Sequence, residues 1–402
     1  MQLFGEQSAP LIGIDISSEA VKVLQLSKSA GRYRVEHYAV EPLPVNPTSH
    51  KTAVQTEVIG AAIKRAVAKS GSKSKYAAVA ISGSSVITKV ITVTGGVDDQ
   101  AMEEQVFDEA SNHIPYQMEE VSLDFEVLGP IPNTESVQVM IAAARTENVE
   151  ARQAELEIAG LEAKVVDVEV FALENAFKLI CNQLDIPAGG LTAVVDIGAH
   201  LTSLNVIKEG RSIYSREQMF GGKQLSEEIM RRYGLSFSEA GVAKKLGGLP
   251  KSYESEVLEP FKEGVAQQIS RLLQFFYSGS DFSRVDQIVL AGGTSSIAGL
   301  NQVLEQHLGV STMTGNPIAS MMVSPRVQAH ALAADAPALL PALVALAAMV
   351  LVQFALARRA AAGGRRRAGP QGWASGGVGA GDQGAAAAAA AAARAAIARE
   401  RL

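Results

Sequence analysis

LIGIDISSEAVKVLQLSKS, residues 11–29, decides the fold, because the chain repeats its logic much later. An apolar run ends in Asp15 and Ile16, the small polar Ser17 and Ser18 follow, and an alternating segment comes next. An apolar run bounded by small residues reads as a buried strand, and alternation reads as a half-buried one. TAVVDIGAHLTSLNVIKEG, residues 192–210, has the same order, with Asp196 standing 181 residues after Asp15. One more strand follows each hairpin, YRVEHYAV at 33–40 and RSIYSREQ at 211–218. Self-similarity over this distance implies two related lobes of an α/β protein.

Working outward, residues 52–70 have helical spacing, with Val54, Val58, Ala61, Ile63 and Val67 toward one face. YAAVAISG at 76–83 reads as a buried strand. Residues 98–150 form a separable α+β block: a helix over 99–112, then the strands VSLDFEVLG and SVQVMIAAAR. A polar helix at 146–160 and the strand LEAKVVDVEV complete it. After the second hairpin, FGGKQLSEEIMRRYG reads as a glycine pair opening an amphipathic helix. Helical segments follow at 236–246 and 253–280, and VDQIVLAGGTSSIAGL gives a buried strand, a Gly-Gly turn and a helix start. The boundaries expected are a first lobe over 1–84, a small α+β insertion over 85–165, hinge helices and a return to the first lobe over 166–190 and 318–357, a second lobe over 191–317, and a tail over 358–402.

The bulk properties are consistent with this. The 402 residues, 47% of them apolar, can bury more than one core. A formal charge of −6 excludes a broad electrostatic footprint for nucleic acid. The single cysteine, Cys181, has no internal partner and lies in an apolar helical run, which fits core packing in a reducing compartment. The start MQLFGEQSAP has neither the basic nor the apolar region of a secretory signal.

Four segments can together enclose a nucleotide. Asp15, Ser17 and Ser18 stand at a tight turn where small residues let backbone N–H groups approach phosphate, and Asp15 can hold Mg²⁺. Asp196, Gly198 and Thr202 repeat the device. Gly221 and Gly222 open a helix on which Lys223 and Glu227 share a face, leaving room for a sugar or base. Gly292, Gly293 and Thr294 lie between a buried strand and a helix, where N–H groups can face an anion or an adenine ring. Neither the Rossmann glycine pattern, the P-loop, the hydrolase elbow nor a metal-ligand spacing is present. His200 inside the second turn reads as a spacer.

This order of motifs resembles the superfamily of actin, Hsp70, FtsA and MreB. The resemblance implies a two-lobed actin-like ATPase fold of duplicated ribonuclease-H-like domains, with ATP and Mg²⁺ clasped between the lobes. It implies phosphate contacts from Asp15, Ser17 and Ser18 and from Asp196, Gly198 and Thr202, with Asp15 and Asp196 at the metal. Gly292, Gly293 and Thr294 match the adenosine segment, and Lys223 and Glu227 match the helix beside the ribose. Glu169, in VEVFALENAF, matches loosely the acidic or amide residue of the first hinge helix and is the one catalytic candidate.

Within that superfamily residues 1–340 resemble the type IV pilus assembly PilM family. The signatures are the opening LFG…APLIGIDISSEAVKVLQLS, the stretch Asn112-His113-Ile114-Pro115-Tyr116 continuing through Glu119, Glu120, Val121, Asp124 and Phe125, and SPRVQAHALAADAPAL at 324–339. The resemblance implies a cytoplasmic protein, peripheral to the inner membrane, that binds the N-terminal peptide of a PilN-like membrane protein between its first lobe and its insertion. The alternative is an FtsA-like division protein that polymerises at the membrane. Two departures argue for slow ATP turnover at most. Ala199 and His200 replace an acidic residue and a second glycine of the actin-type loop, and Ser17 stands where a glycine is common.

The end of the chain differs in kind. From Arg358 onward eight arginines face Asp382 and Glu400, a net +6, which leaves −12 on residues 1–357. The 22 residues from Ala336 to Ala357 carry no charge, long enough for a membrane span, although the position suits a buried Ala-rich terminal helix better. Residues 358–402 read as a disordered basic extension or as frameshifted coding sequence, with no function assigned.

Overall fold

The computed structural model describes residues 11–29, 31–44, 53–184 and 189–339. All of them belong to the first of two compact units, 1–361 and 362–402. The expectations about the uncharged run and the tail after 340 fall outside the described residues.

Strands β1 (Leu11–Ile16), β2 (Ala20–Ser29) and β3 (Arg32–Pro42) form an antiparallel meander. Helix α1 (Ala53–Ser70) then leads to β4 (Tyr76–Ile81), which pairs parallel to β1. Next come β5 (Val86–Thr94), α2 (Asp99–Ser111), β6 (Val121–Pro130), β7 (Ser136–Arg145), α3 (Thr146–Ile158), β8 (Glu162–Val168) and α4 (Glu169–Ile180). The second meander is β9 (Leu191–Ile197), β10 (Thr202–Lys208) and β11 (Arg211–Gln218). Helices α5 (Lys223–Tyr233), α6 (Phe237–Leu246) and α7 (Glu259–Ser278) precede β12 (Gln287–Ala291), which pairs parallel to β9. The chain continues through α8 (Leu300–Leu308), β13 (Ser311–Thr314), β14 (Met322–Val323) and α9 (Ala329–Asp335).

Three sheets result, with strand orders β14-β3-β2-β1-β4-β8, β11-β10-β9-β12-β13 and β5-β7-β6. The first two repeat one plan, a meander whose first strand takes a parallel neighbour, and Asp15 and Asp196 occupy equivalent places in β1 and β9. Each sheet has its own apolar core: Ile12, Ile14 and Val79 under α1 in the first, and Val195, Leu204, Ile269 and Leu290 under α7 in the second. The third sheet packs Ile91, Val139 and Ile141 on Val106 and Ala110 of α2. A further layer lies between the two large sheets. Leu173, Phe177 and Ile180 of α4 and Leu332 of α9 meet Leu24, Leu26 and Val35 on one side and Val194, Ile207 and Val289 on the other.

The structure corrects the sequence reading in several places. The buried face of α1 is Ile59, Ala62, Ile63 and Ala66, whereas Val54 is 69% exposed. The face turns because α3 crosses α1 at Gly60, where a Cβ would lie 2.7 Å from Cβ of Ile158. That crossing also draws α3 out of the insertion, and β8 pairs with β4 in the first sheet. The insertion drawn over 85–165 therefore ends structurally near Arg145, and it contains β5, a strand not foreseen. The helix foreseen over 253–280 begins with a π-turn at 254–258. Cys181 lies beyond the last turn of α4, half-buried, and its thiol donates to the Phe177 carbonyl at 3.3 Å.

Asp167, near the end of β8, is 3% exposed. Burial pushes its carboxyl up to about 7, the Val168 N–H pulls it down, and Glu174 and Asp124 push it up further. A raised carboxyl pKa means that the folded chain holds the proton longer than the unfolded one. Asp167 therefore weighs against the fold increasingly as pH rises from about 4, the ordinary carboxylate value, toward 7. In Asp167→Asn, the melting temperature relative to the parent should rise across this interval and level off above it. An equal offset at pH 4 and pH 8 would sink this account.

Candidate functional site

The two hairpins are closed locally before they meet. In the first, the Ser17 N–H and hydroxyl both donate to the Ala20 carbonyl, at 3.0 and 2.9 Å. In the second, the Gly198 N–H donates to the Leu201 carbonyl at 2.9 Å. Ser17 is thus occupied by its own turn, and Thr202 is likewise spent on the Phe220 carbonyl, 2.9 Å away. The tips then touch across the lobes: His200 Nδ1 lies 2.9 Å from the Ser18 hydroxyl. His200 is therefore more than a spacer.

Behind the tips lies a charged cluster. Register pairs Asp15 with Lys22 across β1 and β2. The Lys22 ammonium donates to Asp15 Oδ2 at 2.6 Å, with both side chains largely buried. Burial alone would pull the Lys22 pKa down, but Asp15, with added attraction from Asp196 and Glu169, holds it above the ordinary lysine value. Burial pushes Asp196 up to about 6, Lys22 pulls it down and Asp15 pushes it up. Glu169, at the start of α4, reaches about 7 through burial and the charges of Asp15, Asp196 and Glu217. The carboxylates from the two lobes thus share one electrostatic neighbourhood, with Lys22 among them.

The second lobe's glycines converge on the same turn. Gly222 N–H donates to the Gly198 carbonyl at 3.0 Å and Lys223 N–H to the Ala199 carbonyl at 2.9 Å. Thr294 Oγ1 donates to the Gly198 carbonyl at 2.9 Å. Three closest approaches explain the glycines. A Cβ on Gly221 would lie 2.5 Å from the Ala199 oxygen, and one on Gly222 2.5 Å from Thr294 Oγ1. A Cβ on Gly292, which has φ +82°, would lie 2.2 Å from Asp196 Oδ1. Gly293 faces open space. On α5, Lys223 Nζ lies 3.7 Å from Glu227, as their spacing foresaw, but Glu227 is more than half exposed.

Asp15, Ser18, Asp196, Gly198, Gly222, Gly292 and Thr294 are therefore brought to one place. Ser17 and Thr202 serve the turns, and Glu227 has no link to the carboxylates. Sequence reasoning missed Lys22, whose signal was legible: in a hairpin with two-residue alternation, the seventh residue after Asp15 returns beside it. It also missed Asn205 and Glu217, because only the pairing of β9 with β10 and of β10 with β11 carries them toward Asp196.

Two lobes with duplicated aspartate hairpins, a glycine-gated second lobe and a cleft between them define a protein of the actin-like ATPase fold. Ethanolamine utilization protein EutJ from Carboxydothermus hydrogenoformans is similar in fold alone, with 17% identity, 83% of this chain and 88% of that chain covered, and a TM-score of 0.50. A chain from a PilM–PilN type IV pilus biogenesis complex is similar at 29% identity, covering 84% of this chain and 97% of that chain, with a TM-score of 0.68. Residues 13–349 match the family described as type IV pilus assembly protein PilM. The chain belongs to that family.

Removing Lys22 should leave Asp15 and Asp196 buried without a cation, a change that costs about 3–5 kcal/mol when one partner of a buried pair is lost. Denaturant unfolding of Lys22→Ala should show most of that loss at pH 8. The loss should shrink at pH 5, below the value of about 6 to which burial pushes Asp196. A pH-independent loss would contradict the arrangement.

Proposed function

We propose that this chain is an ATP-binding scaffold of the type IV pilus inner-membrane assembly platform, holding the N-terminal cytoplasmic segment of a PilN-like membrane protein. Its location is then the cytoplasmic side of the inner membrane, reached through that partner; among the described residues no helix is long and apolar enough to cross a membrane. Family membership supports the pilus role, and similarity to a chain of a PilM–PilN complex supports the partner.

The observation that carries the nucleotide reading is the buried set Asp15, Asp196 and Lys22 beside Gly292. The missing Cβ of Gly292 lets its loop press against Asp196 Oδ1 and the Ile197 carbonyl, which brings that loop up to the carboxylate, and open space at Gly293 suits an adenosine moiety. Asp15 and Asp196 would hold Mg²⁺, directly or through water, and the ion would neutralise phosphate charge. Lys22, bonded to Asp15 at 2.6 Å, would supply positive charge to a bound phosphate, and the Ser18–His200 contact closes the tips. Glu169, with a pKa of about 7, has the proton affinity of a general base near neutral pH. Ala199 and His200 in the second loop still favour slow turnover at most.

A cleft of about 750 Å³ supports the partner reading. Its walls are β5 and Met140 of the insertion, Phe171 and Glu174 of α4, and β11 of the second lobe. β5 and β11 are both outer strands of their sheets among the described residues. An extended peptide can add to such an edge through backbone hydrogen bonds, with side-chain pockets giving selectivity. Val90 and Ile213, 47% and 45% exposed, offer it apolar contacts. The Ser212 N–H donates to Glu174 at 2.7 Å and fixes β11 to α4, which gives the cleft a rigid floor.

Two measurements test this function. A synthetic N-terminal peptide of a PilN-like protein should bind saturably, and Val90→Lys should weaken it at least about tenfold, the effect of about 1.4 kcal/mol. Absence of binding, with and without Mg²⁺–ATP, would discard the pilus partner. Separately, Asp196→Ala should abolish Mg²⁺-dependent nucleotide binding in calorimetry while circular dichroism stays unchanged. Retained affinity in that variant would discard the site.

A further inference from the structure

We infer that a compact monovalent cation, of potassium or ammonium size, binds between the first turn of α4 and the cleft-facing side of the second sheet. Register builds the site. Asp196, Ser203 and Glu217 are directly paired across β9, β10 and β11, and Val194, Asn205 and Ser215 form the next row on the same face. A sheet face covered by a helix is ordinarily apolar, yet two adjacent rows here present two carboxylates, two hydroxyls and an amide. Glu169, Val170 and Leu173 of α4, together with Gly83, close the space above them.

The cavity so formed is about 30 Å³. That is room for one or two water-sized groups, since a single water needs about 10–15 Å³. Asn205 lines it at 3% exposure, and its buried Oδ1 has no hydrogen-bond partner among the described residues. A buried amide oxygen left unmet is costly, so a donor or a cation at that point is favoured. Water would satisfy the amide but not the charge. Asp196, Glu169 and Glu217 all border the cavity, while the Lys22 ammonium is engaged by Asp15 at 2.6 Å and Arg152, which also acts on Glu169, is paired with Glu155 at 2.8 Å. Ser82 donates to Glu217 at 3.1 Å but brings no charge.

The donor set selects the ion. Every candidate ligand is oxygen, which excludes soft metals. Magnesium requires near-octahedral contacts at about 2.0–2.1 Å. Among the described residues Asp196, Glu169 and Glu217 border the cavity without forming a three-carboxylate metal cluster, so the oxygens of Asn205, Ser203 and Ser215 must supply ligands as well. A larger singly charged ion accepts longer contacts to hydroxyl, amide and carboxylate oxygens together. The entry route is the neighbouring cleft, which shares Gly83, Val170, Ser215 and Glu217 with the cavity. An ion there rests against Asp196, so its occupancy sets the charge beside the loop that carries Gly292.

The test uses the full chain without nucleotide, melted at one ionic strength in choline, sodium, potassium or ammonium chloride. Potassium and ammonium should each raise the melting temperature over choline by at least ~2 °C, saturably, as a ligand of the folded state does. Asn205→Leu should abolish the increment, and Glu217→Gln, at a half-buried surface position, should reduce it without threatening the fold. Crystals grown with thallium(I) should show an anomalous peak between Asn205, Glu169 and Glu217. Equal melting in choline and potassium, an increment intact in both variants, or thallium crystals without that peak would overturn the inference.

Discussion

The molecule depends on one apolar layer that neither large sheet could supply alone. α4 and α9 each bury side chains against both sheets, with Phe177, Ile180 and Leu332 meeting Leu24 and Val35 on one side and Val194 and Val289 on the other. Each helix is therefore held by two cores at once, and the sheets are held at a helix-filled spacing. That spacing brings the equivalent ends of β1 and β9 to face each other. The final segment reinforces the arrangement: Tyr38 donates to Asp335, and the Gly292 N–H donates to the Pro337 carbonyl at 2.9 Å. The glycine beside Asp196 is thus tied to the layer that joins the lobes.

Facing duplicated hairpins has an electrostatic consequence. Each brings a buried carboxylate, and a buried carboxylate is costly without a partner. Lys22 compensates for only part of this, because its ammonium is bonded to Asp15 and acts on Asp196 through space. Glu169 from α4 adds a further carboxyl, pushed up by burial and by Asp15, Asp196 and Glu217 and pulled down by Arg152. The proposed cation cavity borders Asp196 on one side and shares Val170 of α4 and Ser215 and Glu217 of β11 with the proposed partner cleft on the other.

The elements were legible where local pattern and tertiary need agree. The hairpin of β1 and β2, the strand–Gly-Gly turn of β12 and the α2–β6–β7 run fall where periodicity and turn residues put them. Local pattern failed where a distant contact chose the outcome. Val54 fits the helical stripe of α1, but the Gly60–Ile158 crossing turns that stripe toward α3 and leaves Val54 in solvent. β8 follows the insertion in sequence and pairs with β4 in space. In the site, Asp15, Asp196 and Gly292 were readable as motifs, whereas Lys22, Asn205 and Glu217 carry no motif and gain meaning only by register.

By itself the sequence determined that two aspartate hairpins exist, that glycines follow the second, and that the chain resembles one family of pilus proteins. These are properties of residue order, because hairpins, strand alternation and glycine turns are fixed by interactions a few residues long. Only the tertiary structure decided that Ser17 is spent on its own turn and Thr202 on the Phe220 carbonyl, that His200 reaches Ser18, and that an unmet amide lines a cavity bordered by carboxylates. Those facts follow from which strand lies beside which and how far apart two sheets are held. Both are set by the apolar residues of α4 and α9 and not by the polar residues that do the chemistry.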